Sequence, residues 1–193
     1  MRRITVFCGS NTGLDPLFAR AAKTMGSLLA SRKIDLVYGG GCIGLMGIIA
    51  DAALEAGGHV IGVIPEALLA REVAHLKLPD LRIVSSMHER KALMAELSDA
   101  FIAMPGGFGT FEEFCEVITW SQLGLHAKPC GLLNIQEFYT PMLHLFDHAV
   151  AAGFINPYHR ELVLSEKTPE TLLAKFESFK PAPSDKWLLK SQT

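Results

Sequence analysis

The sequence predicts an α/β protein: a doubly wound parallel β-sheet covered by helices on both faces, in three layers. Three observations lead there. Short apolar segments of strand length alternate along the chain with longer segments of helical period. The short segments read as apolar on both faces, which suits strands buried from two sides rather than from one. Glycine-bearing turns follow three of these segments, at Gly9, at Gly39–Gly47 and at Gly106–Gly109. In sheets of this kind ligands sit beyond the carboxyl ends of the strands, so these turns converge on one candidate site.

Each element has its own warrant. Ile4 to Cys8 is a short buried strand that ends at Gly9-Ser10-Asn11. Asp15-Pro16 opens a helix to about Arg32, with an acceptor at the cap and proline at the first helical position. Asp35 to Tyr38 is the next strand. A second helix follows the glycine turn and is stopped near Ala56 by Gly57-Gly58. Val60 to Ile64 is a strand ended by Pro65, and residues 66–79 mix polar and apolar positions as a loop or lid does. Leu81 to Val84 is a candidate strand, and Ser86 with Glu89 forms a capping box for a helix to Leu97. Ala100 to Met104 is a strand that feeds Pro105-Gly106-Gly107-Phe108-Gly109, and a helix runs on to about Leu123. Cys130 to Leu133 is a strand and Phe138 to Ala152 a helix. Asn156-Pro157-Tyr158 marks a turn, Leu162 to Leu164 a short strand and Pro169 to Phe179 the last helix. The expected organisation is one nucleotide-binding domain over residues 1–180 and a C-terminal tail, 181–193.

Composition narrows the function classes. With 49% apolar residues, a mean hydropathy of +0.26 and 193 residues, the chain suits a packed domain and, on balance, an oligomer. A net charge of −2 and a pI near 6.4 give no basic footprint for nucleic acid. No apolar stretch is long enough for a bilayer, and Met1-Arg2-Arg3 resembles a signal start but leads into a run too short to be one. Cys8, Cys42, Cys115 and Cys130 are scattered, with no C-x-x-C pair, and suit reduced thiols in a cytoplasmic protein; no metal site is implied.

Pro105 to Glu113 carries the strongest chemical signal. A strand, a glycine-rich turn and a helix start gather free backbone N–H groups around an anion, and the glycines let a phosphate approach closely. The simpler reading is that Thr110 and Glu113 form a capping box. On the preceding helix, Arg90 shares a stripe with Leu93, Met94 and Leu97, so its permanent charge is expected to meet an anion or to reach water. The helix after the turn reads as having two apolar faces. Phe111, Phe114, Cys115 and Ile118 form one. Val117 and Trp120 lie on the other beside Glu113 and Glu116, and that second face is expected to meet another subunit or close over a ligand. Gly39, Gly41 and Gly44 spell a dinucleotide fingerprint, but no acidic residue ends the next strand to grip a ribose, and tight strand-to-helix packing explains the glycines equally well.

Three stretches together, Gly39-Gly40-Gly41 with Gly44-Leu45-Met46-Gly47, Met87-His88-Glu89-Arg90-Lys91, and Pro105 through Glu113, closely resemble the LOG ("Lonely Guy") family over Ile4 to about Phe179. The resemblance implies a Rossmann-like fold and a phosphoribohydrolase acting on cytokinin riboside 5′-monophosphates, often on AMP. It implies a dimer with sites near the interface, a nucleoside monophosphate as the small-molecule partner, and no cofactor or metal. Arg90 and Glu113 match the family's catalytic pair. Glu72, Arg90, Lys91, Gly106, Gly107, Phe108, Gly109, Thr110, Phe111 and Glu112 match substrate-contacting positions, with Thr119 an addition; Gly40, Gly41 and Met46 of the second glycine turn complete the candidate set. The lysine decarboxylase label often given to such proteins is not supported by anything here that serves pyridoxal phosphate. Two rival classes stay open: a non-catalytic carrier of a nucleotide or of molybdenum cofactor, and an NAD(P)-dependent oxidoreductase.

Overall fold

The computed structural model describes residues 1–69 and 74–180. Seven strands form one sheet: β1 (Arg3–Phe7), β2 (Asp35–Tyr38), β3 (Val60–Pro65), β4 (Asp80–Val84), β5 (Ala100–Ala103), β6 (Cys130–Leu133) and β7 (Val163–Glu166). Their order across the sheet is β4-β3-β2-β1-β5-β6-β7, and every pairing is parallel. The chain starts in the middle at β1, walks out to β4, and returns to the other side of β1 as β5. The switch point between β1 and β5 opens a crevice at the carboxyl edge, where open α/β sheets bind ligands.

The helices are α1 (Pro16–Ser31), α2 (Gly44–Glu55), α3 (Glu66–Leu69), α4 (Met87–Leu97), α5 (Phe108–Gln122), α6 (Thr140–Ala151), α7 (Pro157–Arg160) and α8 (Pro169–Ser178). Two cores flank the sheet, and the two-residue period of the strands assigns side chains to them. Ile4, Val6 and Cys8 join Ile102 and Met104 in a core with Met25 and Leu29 of α1, Ile49 and Ala53 of α2 and Leu173 of α8. Phe7, Phe101 and Ala103 point the other way, into a core with Met94 of α4, Phe114 and Val117 of α5 and Tyr139.

Most expected elements are present within a residue or two. Asp15 caps α1 as expected, its carboxylate accepting from Leu17 N at 2.8 Å with Pro16 at the first helical position. Ser86 Oγ accepts from Glu89 N, but the Glu89 carboxylate turns to Ser85, taking its N–H at 2.8 Å and its hydroxyl at 2.6 Å. These bonds hold Glu89 below the usual carboxylate range. The stretch expected to be irregular begins with the short helix α3, and Asn156–Tyr158 starts the four-residue α7. Glu72 and the tail 181–193 lie outside the described residues.

Candidate active site

Three turns meet at the switch point. Gly9, just after β1, donates its N–H to Pro105 O at 3.0 Å, and its carbonyl accepts from Leu45 N at 3.0 Å. One glycine thus joins the turn after β5 to the start of α2. The buried Tyr139 hydroxyl supports the same point from beneath by donating to Met104 O at 2.7 Å. The glycine turns are packed tightly: a Cβ on Gly44 (φ +62°) would overlap the Ser10–Asn11 backbone, and one on Gly106 would overlap Thr110 Oγ1.

Helix α5 begins at Phe108, with Gly107 as an extended N-cap (φ −98°, ψ −158°) that offers no side-chain bond. The capping-box reading of Thr110 and Glu113 is therefore corrected. Thr110 lies inside the first turn, and the Glu113 carboxylate turns toward Arg90. Phe111 N–H is the first to reach back into the helix, to Gly107 O at 3.1 Å. The N–H groups of the N-cap and first turn are the ones a helix cannot satisfy internally, and they carry its positive dipole end.

A cavity of about 260 Å³ opens in front of them. Its wall includes Cys8, Gly9, Ser10, Gly39, Met46, Arg90, Met94, Gly107 through Thr110, and Glu113. Arg90 is buried, 6% exposed, and its guanidinium is held from two sides. Nε donates to Val63 O at 3.1 Å and Nη2 to Gly39 O at 3.3 Å, both at carboxyl ends of strands. Nη1 lies 3.6 Å from Glu113 Oε1, and Glu113 is itself 9% exposed. The expected anionic partner of Arg90 is thus Glu113, across the cavity wall between α4 and α5. Burial, then the negative charge of Glu113, push the Cys8 thiol far up, so it lines the floor as a neutral group.

Not every candidate meets this cavity. Gly107, Phe108, Gly109, Thr110 and Met46 do, with Phe108 92% exposed at the rim. Gly106 lines an adjoining cavity of about 300 Å³ with Phe18, Leu45 and Phe138. Lys91 and Glu112 face each other outside the wall: Lys91 Nζ is 2.5 Å from Glu112 and 3.0 Å from Glu116. Burial works against the charge of Lys91, but the two carboxylates outweigh it and hold its pKa above the ordinary value. Phe111 belongs to an aromatic cluster with Phe108, Phe138 and Tyr139. Gly40 and Gly41 fall outside the wall because their backbone is taken up elsewhere, Gly40 O by His75 N–H at 2.9 Å and Gly41 by a bridge to Ala74. Thr119 is exposed and lines a different hollow with Cys115, Ile118 and Phe146. Cys8 and Ser10 were not anticipated; the glycine turn after β1 was the signal that could have found them.

The two faces of α5 are also sorted. Glu113 and Val117 belong to the buried face with Phe114; Val117 and Phe114 pack in the core, and Glu113 reaches the cavity. The outward apolar surface is the one carrying Cys115 and Ile118. In the second glycine turn, the fingerprint glycines are filled by the protein itself, Gly39 by Arg90 and Gly44 by the Ser10–Asn11 backbone, which is the packing reading of that motif.

Residues 46–176 match the family model described as "Possible lysine decarboxylase". The chain is 52% identical to the cytokinin riboside 5′-monophosphate phosphoribohydrolase LOG3 of Arabidopsis thaliana over 180 residues, covering 93% of this chain and 84% of the relative. This chain belongs to the LOG family. A second LOG protein, the phosphoribohydrolase LOG of Oryza sativa subsp. japonica, is 52% identical over 93% of this chain and 74% of its own. Among solved structures, a molybdenum cofactor binding protein of Rippkaea orientalis shares the fold at a TM-score of 0.68 and 22% identity, over 92% of this chain and 96% of its own. This chain thus shares its parallel α/β fold with that binding protein, and fold alone does not decide the chemistry.

Proposed function

We propose that this protein hydrolyses the N-glycosidic bond of cytokinin riboside 5′-monophosphates, releasing the free base and ribose 5-phosphate. The observation that carries the reading is the buried Arg90–Glu113 pair, 3.6 Å apart, in a cavity walled by the unsatisfied N-terminus of α5. The relatives named phosphoribohydrolases support it over nearly the full chain.

The chemistry follows from the placement. The 5′-phosphate is held by the amides of Gly107 through Thr110 at the dipole's positive end, with Ser10 across the cavity. The bond between the purine nitrogen and C1′ breaks with cation-like character on the ribose. The Glu113 carboxylate stabilises that charge or draws a proton from the attacking water, as carboxylates do in glycoside hydrolysis. Water oxygen ends on C1′ and a proton ends on the departing base. Arg90 fixes the carboxylate and offers positive charge on the leaving side.

AMP is proposed as a second substrate, because the anion cradle and the pair act on the phosphoribosyl part common to both nucleotides. The protein is proposed to work in the cytoplasm as a homodimer. Four free cysteines, two of them buried, suit a reducing compartment. Exposed Leu145, Phe154 and Tyr158, beside the hollow lined by Ile118, Phe146 and Ile155, suit a self-association surface.

The test is to incubate pure protein with AMP and with isopentenyladenosine 5′-monophosphate and to assay free base and ribose 5-phosphate. Release of neither product from either nucleotide defeats the reading. Tight retention of a nucleotide without turnover points to the carrier class instead. Light scattering after size exclusion reads the oligomer, with twice the 21.0 kDa chain mass expected.

A further inference from the structure

One of the two carbonyls that hold Arg90, Gly39 O, belongs to a turn with no side chains of its own. Gly39, Gly40 and Gly41 are consecutive, with Gly40 at φ +78°. Three glycines in a row have the largest backbone entropy to lose, so the turn takes its shape from what packs on it. The chain from Ala74 to Leu78 does the packing. His75 N–H donates to Gly40 O at 2.9 Å, Ala74 bridges Gly41, and Leu78 Cδ1 fills the space a Cβ on Gly62 would need.

That segment is fastened by one buried polar side chain. His75 is 4% exposed, and its Nε2 lies 3.0 Å from Asp51 Oδ1 on α2. Its Nδ1 meets no partner among the described residues. Asp51 itself is 59% exposed on its side chain, and an exposed carboxylate of this kind adds little to global stability. What the contact fixes is orientation: with the ring anchored to α2, the His75 main-chain N–H stays aimed at Gly40 O.

We propose that Asp51 and His75 are positioning residues for the reaction. Their contact clamps the Gly39–Gly41 turn, the turn presents Gly39 O to Arg90 Nη2, and Arg90 is thereby aimed at Glu113. Neither residue lines the cavity, so both act through Arg90. The inference rests on Arg90 and Glu113 being the catalytic pair.

The experiment compares Asp51→Ala, Asp51→Asn, His75→Gln and Arg90→Ala on isopentenyladenosine 5′-monophosphate, with melting temperature measured for each. Asp51→Ala is expected to lower kcat at least about tenfold with KM within about twofold, because misaimed catalytic groups lose transition-state contacts rather than ground-state binding. Its melting temperature falls by only a few degrees, from the buried His75 ring losing its partner, and kcat is read well below it. Asp51→Asn and His75→Gln keep an atom able to make the contact and recover most of the turnover. Unchanged kcat in folded Asp51→Ala, beside an inactive Arg90→Ala, overturns the positioning role and leaves the catalytic pair standing. A loss in Asp51→Ala that Asp51→Asn fails to recover, or that vanishes when the assay is run well below the melting temperature, overturns it as well. Full turnover in Arg90→Ala removes the catalytic pair and this inference with it.

Discussion

Arg90 Nη2 occupies the space that a Cβ on Gly39 would need. The same nitrogen bonds the Gly39 carbonyl at 3.3 Å, so the guanidinium rests on the backbone at the end of β2. A bare backbone at residue 39 and a long cation at residue 90 are two halves of one arrangement.

Gly39→Ala tests it directly. The atoms a new methyl would meet are the ends of Arg90 and Met46, both flexible side chains, so the chain is expected to fold. Arg90 has to leave its place, and kcat is expected to fall about a hundredfold, as when reacting groups are misplaced by an ångström. Steady-state kinetics with a circular dichroism control reads the outcome. Wild-type kcat would mean that Arg90 works from another position.

Glu113→Gln keeps size and hydrogen-bonding capacity but removes the charge opposite Arg90. Turnover is expected to fall about 10²- to 10⁴-fold, the usual contribution of a positioned acid or base. Binding of ribose 5-phosphate, read by calorimetry, is expected to stay within a few-fold because the proposed phosphate cradle is untouched. A variant that cleaves nucleotide at the wild-type rate would strip Glu113 of its role.

Phe108 separates ring from amide at the helix start. Its side chain is 92% exposed, so Phe108→Ala leaves the melting temperature unchanged and alters substrate affinity only through the rim. Proline suits this first helical position, since Gly107 ahead of it is extended. Phe108→Pro removes the ring and one N–H of the proposed anion cradle. Relative to Phe108→Ala it is expected to weaken inhibition by inorganic phosphate about tenfold, the worth of a hydrogen bond to a charged group. Equal inhibition constants for the two variants would show that this amide does not touch the anion.

His126 gives a pH signature away from the site. Burial, with a smaller push from Lys128, lowers its pKa from 6.5 to about 4, against a raising bond to Val117 O at 2.9 Å. Above pH 6.5 the ring is neutral in both folded and unfolded chains. As pH falls from 6.5 to about 4 the unfolded chain takes up a proton that the folded chain resists, so stability is lost over that window. Urea unfolding across this range should show a shallower decline in His126→Gln. Identical pH slopes for variant and wild type would contradict the prediction.

Much of this fold lies open in local sequence. Asp15-Pro16 writes the start of α1, and Gly57 at φ +76° follows the end of α2, because caps and left-handed turns depend on residues a few positions apart. The place of Arg90 was partly readable, since its stripe with Leu93, Met94 and Leu97 called for an anion or for water, and the structure supplies Glu113. Other features were not. Thr110 and Glu113 have the spacing of a capping box, and only the packing of α4 beside α5 sends the carboxylate to Arg90 instead. That Gly40 and Gly41 lie outside the cavity wall, their backbone taken up by Ala74 and His75, was not readable either, nor that Thr119, on one helix with Glu113, faces another hollow.

By itself the sequence determined the strand-and-helix alternation, the glycine turn before α5 and the family, since period, turn chemistry and motif are properties of neighbouring residues. The tertiary structure alone decided which residues converge. Placing β5 beside β1 brings Gly9 to Pro105, and stacking α4 against α5 sets a cation and a carboxylate 3.6 Å apart though 23 positions separate them in the chain (113 − 90). Contacts of that kind depend on the order in which strands pair across the sheet, and no local pattern of residues encodes that order.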